Sequence, residues 1–139
     1  MSLYTVLDAV ADNVNRVLAL IAIIQLVSFS IKRQWRNASI YLMTLLALLV
    51  VIYGWMMVDR RLFDFPYSTH SAFAASFCML HAVYMPRYKF VWFGILAAYL
   101  GLILFQRYHS LLDIAVTLIM ILPFIATIFI LSKKTKVHE

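Results

Sequence analysis

His109 and Asp113 stand four residues apart. On a helix they share a face, and the carboxylate can hydrogen-bond the imidazole, fix its tautomer and stabilise a positive ring. Such a pair serves as a nucleophile or base; the plainer alternative makes Asp113 a helix-start residue favoured by the dipole. A second histidine, His70, follows Ser68 and Thr69, either of which can cap a helix whose free N–H groups attract phosphate. Ser71 extends that polar run, and the plainer alternative is a capped helix start with an interfacial histidine. Arg60, Arg61 and Arg107 are suited to bidentate phosphate binding, or else to snorkelling at a headgroup layer. His81 has no acidic neighbour and reads as a satisfied buried histidine. Cys78 has no partner for an intrachain disulfide and reads as packing.

The elements that must position these residues are apolar. The chain of 139 residues is 65% hydrophobic, its mean hydropathy is +0.91, and a soluble domain is about half apolar. Apolar runs near the length that crosses roughly 30 Å of hydrocarbon cover 17–31, 38–58, 71–85, 90–105 and 111–131. With three Gly and three Pro, and runs too long for strands, the sequence predicts an all-α polytopic membrane bundle of about five transmembrane helices. Leu3, Val6, Leu7, Val10 and Val14 recur at helical spacing, with Asp8, Asp12, Asn13 and Asn15 on the other side. That predicts an interfacial amphipathic helix over 1–15, retained because a signal peptide opens on a basic region. No repeat or flexible linker is visible, so 1–139 reads as one membrane domain.

Charge sets the orientation. Lys32, Arg33, Arg36, Arg87, Lys89, Lys133, Lys134 and Lys136 fall on one side of this topology, and only Arg16, Arg60, Arg61 and Arg107, with Asp8, Asp12, Asp59, Asp64 and Asp113, on the other. The positive-inside rule then puts the N-terminus outside and the C-terminus in the cytoplasm, in a bacterial inner membrane with the histidines facing outward. The same topology explains the net charge of +6 without nucleic acid.

The runs FPYSTHSAFAASF and RYHSLLDIAVT resemble the type 2 phosphatidic acid phosphatase superfamily of lipid phosphatases and phosphotransferases. That family's second motif, PSGH followed commonly by Ser, is matched by Ser68, His70 and Ser71, with Tyr67 and Thr69 at the Pro and Gly positions. Its third motif, SRxxxxxHxxxD, is matched by His109 and Asp113, with Ile103 at the Arg position. Its first motif, KxxxxxxRP, is not present: Phe65 precedes Pro66, and Val58 holds the Lys position. The resemblance implies a helical membrane fold whose His109 position takes the phosphoryl group. Asp113 would orient that ring and the His70 position would protonate the leaving oxygen, with no metal or cofactor. Arg60, Arg61 and Arg107 stand in by location for the missing cations, beside Ser68, Thr69 and Ser71.

The leading expectation is therefore a membrane lipid-phosphate phosphatase or phosphotransferase, with a polyprenyl phosphate or pyrophosphate, or a phospholipid, as substrate. The alternative is a non-catalytic bundle of the same fold that binds lipid phosphate or serves as a small subunit of a membrane complex; self-association is left open. A third reading makes His70 and His109 the axial ligands of a haem.

Overall fold

The computed structural model describes residues 3–59, 66–107 and 109–137. Among them the regular structure is helical: α1 (Leu3–Ile31), α2 (Trp35–Val58), α3 (Thr69–Tyr84), α4 (Lys89–Phe105) and α5 (Leu111–Val137), with a single 3-10 turn at Pro86–Tyr88 before α4. Four of the helices, all but α3, are long and apolar enough to cross a membrane. The chain is thus an integral membrane helical bundle, and among the described residues such helices number four where the sequence predicts five spans.

The expected break between an interfacial helix at 1–15 and a span at 17–31 is absent, because α1 is one helix of 29 residues. Neither Gly nor Pro interrupts 3–31, so nothing in the chain stops the helix there. Its polar stripe has tertiary partners instead of a headgroup layer: Gln106 Nε2 donates to Asp8 Oδ1 at 2.9 Å, and Asn15 Nδ2 donates to Tyr99 Oη at 3.2 Å. At 1.5 Å per residue α1 is about 44 Å long, beyond the roughly 30 Å of a bilayer core.

Helix ends follow local chemistry. Arg33 adopts a left-handed φ of 56°, and the Gln34 N–H reaches back to the Phe29 carbonyl at 2.9 Å, a Schellman closure of α1. Pro86 cannot continue α3, and the residue before it, Met85, is driven out of helical geometry. Ser68 opens α3 by accepting from the Ser71 N–H at 3.2 Å. Tyr67, just before it, donates to the Ile52 carbonyl at 2.9 Å. Burial, with Asp59 nearby, pushes that phenol up and keeps its proton in place.

Contacts between helices fix their directions. Ser68 meets Thr117 near the starts of α3 and α5. Tyr41, early in α2, packs edge-on against Tyr84 at the end of α3, centroids 4.7 Å apart. The Arg36 guanidinium donates to the Thr135 carbonyl, joining the start of α2 to the end of α5. On α1, Asn15 reaches His70 and Leu18 reaches His81, in the same order along α3. So α1, α3 and α5 run one way and α2 and α4 the other.

The least apolar helix is the innermost. α3 packs against all four others, and Ala72, Ala74, Ala75, Ser76, Cys78 and Ala82 let those helices approach closely. Among the described residues, no large apolar side chain that is exposed belongs to α3; nearly all lie on α1, α2, α4 and α5. This inversion suits a bilayer: lipid solvates the outer Leu, Ile, Val and Phe, and the four outer helices shield Ser71, Ser76 and His81 of α3. His81 is fully buried with its Nε2 donating to the Leu18 carbonyl at 3.0 Å, while its Nδ1 has no partner. Tyr84 packs on Phe29 and Tyr41.

Candidate functional site

The site forms where α3 and α5 begin and α4 ends. α5 starts with a reciprocal cap: the Ser110 N–H donates to Asp113 Oδ2 at 2.8 Å, and the Asp113 N–H donates to Ser110 Oγ at 3.1 Å. His109 immediately precedes that cap, and its Nδ1 lies 3.6 Å from the same Asp113 Oδ2. Asp113 therefore does both things the sequence allows, starting the helix and facing the imidazole. A carboxylate only accepts, so the proton of a neutral His109 is favoured on Nδ1, and Nε2 keeps its lone pair. The two side chains are 26% and 24% exposed, open enough for a reagent to reach the ring.

His70 lies in the first turn of α3, one residue into the helix. Of the two capping candidates the structure uses Ser68, and Thr69 is the first helical residue. Ser68 and Ser71 are fully buried and bonded to each other, Ser68 Oγ to Ser71 Oγ at 2.9 Å. They hold the start of α3.

Thr117 is the residue the sequence reading missed. Its Oγ1 accepts from the Ser68 N–H at 2.8 Å and donates to the Asp113 carbonyl at 2.7 Å. One buried hydroxyl thereby ties the first turn of α3, with His70, to the first turn of α5, with His109. Its position four after Asp113 puts it on the same helix face, which is the only sequence signal it carries.

His70 and His109 line one cavity of about 20 Å³, together with Ala11, Asp12, Tyr99 and Ile103. The space holds little more than one water molecule, and a haem bridging the two rings does not fit it. Among the described residues no group of three His, Cys, Asp or Glu is placed to hold a metal ion.

His70 also lines a larger hollow of about 300 Å³, with Asn15, Arg16, Tyr53, Thr69 and Phe73. Arg16 is thus the cation placed with His70. Arg107, held at a left-handed φ of 55°, lines a different hollow with Leu104, Phe105 and Gln106. Arg60 and Arg61 lie outside the described residues. Farther along the seam of α1 and α4, an apolar groove of about 510 Å³ runs past Val10, Val14, Leu18, Trp92 and Ile95.

Comparisons with protein families, with curated proteins and with solved structures found no match for this chain.

Proposed function

We propose that this chain is a membrane lipid-phosphate phosphatase or phosphotransferase, a divergent and short relative of the type 2 phosphatidic acid phosphatases, acting through a phosphohistidine. One observation carries the reading: His70 and His109, from separate helices, share one cavity wall, and His109 has Asp113 behind its Nδ1. His109 Nε2 attacks phosphorus, the bond to the leaving oxygen breaks, and that oxygen departs with the electron pair toward His70 as donor. The phosphorylated ring keeps its Nδ1 proton, and the Asp113 carboxylate offsets the resulting positive charge. Water then adds hydroxide to phosphorus and the pair of the P–N bond returns to Nε2; the proton that water gives up leaves with the phosphate when the leaving group was itself a phosphate, and returns to His70 when His70 had given its own to an alkoxide. An alcohol in place of water gives transfer.

The substrate in this reading is a polyprenyl phosphate or pyrophosphate, or a phospholipid. The apolar groove between α1 and α4 supports a lipid tail close to the histidines. Arg16 takes the role that the sequence assigned by location to Arg60, Arg61 and Arg107. Ile103, at the position of the family's arginine, lines the cavity, so the wall is in register with the motif while its charge is missing. α3, 16 residues and about 24 Å long, acts as an inner fifth span, and the histidine end faces the periplasm of a bacterial inner membrane.

The test is phosphate release by detergent-purified wild type and His109→Ala on farnesyl pyrophosphate, phosphatidic acid, phosphatidylglycerophosphate and lysophosphatidic acid. Release by wild type and none by the variant is expected; undiminished turnover in His109→Ala sinks the mechanism.

A second reading, a non-catalytic bundle that binds lipid phosphate or serves a larger membrane complex, is favoured by Asp12, whose carboxylate lines the cavity where a phosphate would bring like charge. Purification of a stable larger assembly, silent on all four lipids, decides for it.

A further inference from the structure

Asn15 lies on α1, outside both sequence runs that suggested the site, yet its side chain reaches into it. Asn15 Nδ2 stands 3.5 Å from His70 Nδ1, 3.4 Å from the His70 carbonyl oxygen and 3.2 Å from Tyr99 Oη. The amide orientation follows from the middle contact. A carbonyl oxygen can only accept, so the group facing it is the NH2; turned over, the amide would set two oxygens against each other. Asn15 Oδ1 is buried with no partner, so the orientation rests on the contact with the His70 carbonyl, since Tyr99 Oη can accept as well as donate. His70 Nδ1, 3.5 Å from that NH2, then faces a donor and is matched by a lone pair. The ring proton is left on Nε2, which has no hydrogen-bond partner among the described residues.

We propose that Asn15 is a positioning residue that holds His70 as the neutral Nε2–H tautomer, opposite to the one Asp113 imposes on His109. The shared cavity is then walled by one ring with a lone pair on Nε2 and one ring with a proton there. Its consequence for turnover rests on the phosphohistidine reading, whereas the tautomer itself does not.

The consequence concerns the leaving group. A neutral imidazole that surrenders its Nε2 proton becomes an imidazolate unless Nδ1 gains one, and Asn15 Nδ2 opposes that gain. Held in this form, His70 donates a hydrogen bond to the departing oxygen without giving up its proton. A lipid monophosphate must expel a strongly basic alkoxide and needs the whole proton. A lipid pyrophosphate expels a phosphate monoester, whose negative charge is already shared among its oxygens and which needs only a donor. His70 so placed favours the anhydride over the ester.

The experiment records the ring nitrogens of His70 by 15N NMR in detergent micelles, assigned by loss of the signal in His70→Gln. Wild type, Asn15→Leu and the near-isosteric Asn15→Asp are compared, each with its helical circular dichroism. Expected are an unprotonated Nδ1 in wild type, a mixture of tautomers in Asn15→Leu, and a protonated Nδ1 in Asn15→Asp, whose carboxylate can only accept. A protonated Nδ1 in wild type overturns the proposal, and so does a tautomer unmoved in both folded variants.

Turnover of farnesyl pyrophosphate and farnesyl phosphate is read on the same samples. The pyrophosphate-to-monophosphate ratio should fall on the order of tenfold in Asn15→Asp, where His70 can act as a full acid; tenfold corresponds to about 1.4 kcal/mol between the two transition states. A ratio unchanged while the tautomer reverses overturns the leaving-group consequence. The expected tautomers with no release of phosphate by wild type uphold the positioning role and remove the phosphatase reading.

Discussion

Asp113 has two duties, and single substitutions separate them. Its N–H and carboxylate complete the cap with Ser110, while the same Oδ2 faces His109. Ser110→Ala removes the hydroxyl that accepts from the Asp113 N–H and leaves the carboxylate where it is. It should cost about 1 kcal/mol, read as a lower midpoint of thermal unfolding in detergent, with phosphate release retained. Asp113→Asn keeps an oxygen for the cap but loses the charge that supports a positive ring. Its thermal midpoint should stay close to wild type while turnover falls about a hundredfold. A pair of variants with the opposite pattern would make Asp113 a helix-start residue alone. The spacing of His109 and Asp113 was legible in the sequence because it is local. The contact of Asn15 with His70 was not, because α1 and α3 are far apart along the chain and meet only in the folded bundle.

At the scale of the helix, the two ends with left-handed residues carry a measurable penalty. Arg33 and Arg107 both hold a positive φ where glycine is at ease. Arg33→Gly should raise stability by roughly 0.5–1 kcal/mol without changing turnover, since Arg33 lies at the end of the bundle far from the histidines. A lower midpoint for Arg33→Gly would show that its side chain, and not its backbone, secures the turn. The continuity of α1 belongs to the same scale. The alternation of apolar residues with Asp8, Asp12, Asn13 and Asn15 describes one face of a helix equally well whether that face meets headgroups or other helices. Only the partners Gln106 and Tyr99 decide between the two.

For the molecule as a whole, the bond from Ser68 to Thr117 couples the α3 start to the α5 start inside the bundle. Thr117→Val keeps the volume but strands the buried Ser68 N–H, and should destabilise by roughly 1–3 kcal/mol. It should also lower turnover, because His70 and His109 lose their common tie; Thr117→Ser, which keeps the hydroxyl, should restore both. Full turnover in a destabilised Thr117→Val would show that other packing sets the distance between the histidines. Hydropathy and i,i+4 spacing act within a single segment, so the helical membrane class, the approximate positions of the helices and the His109–Asp113 pairing could be read from the residues alone. Tertiary structure decided that α3 is the inner helix and that Arg16 and Asn15 stand with His70. It also placed Arg107 in a different hollow, turned Ser68 and Ser71 inward, and seated Ile103 in the cavity wall. Those outcomes depend on how four outer helices enclose a fifth, and packing between segments leaves no periodic mark in any one of them.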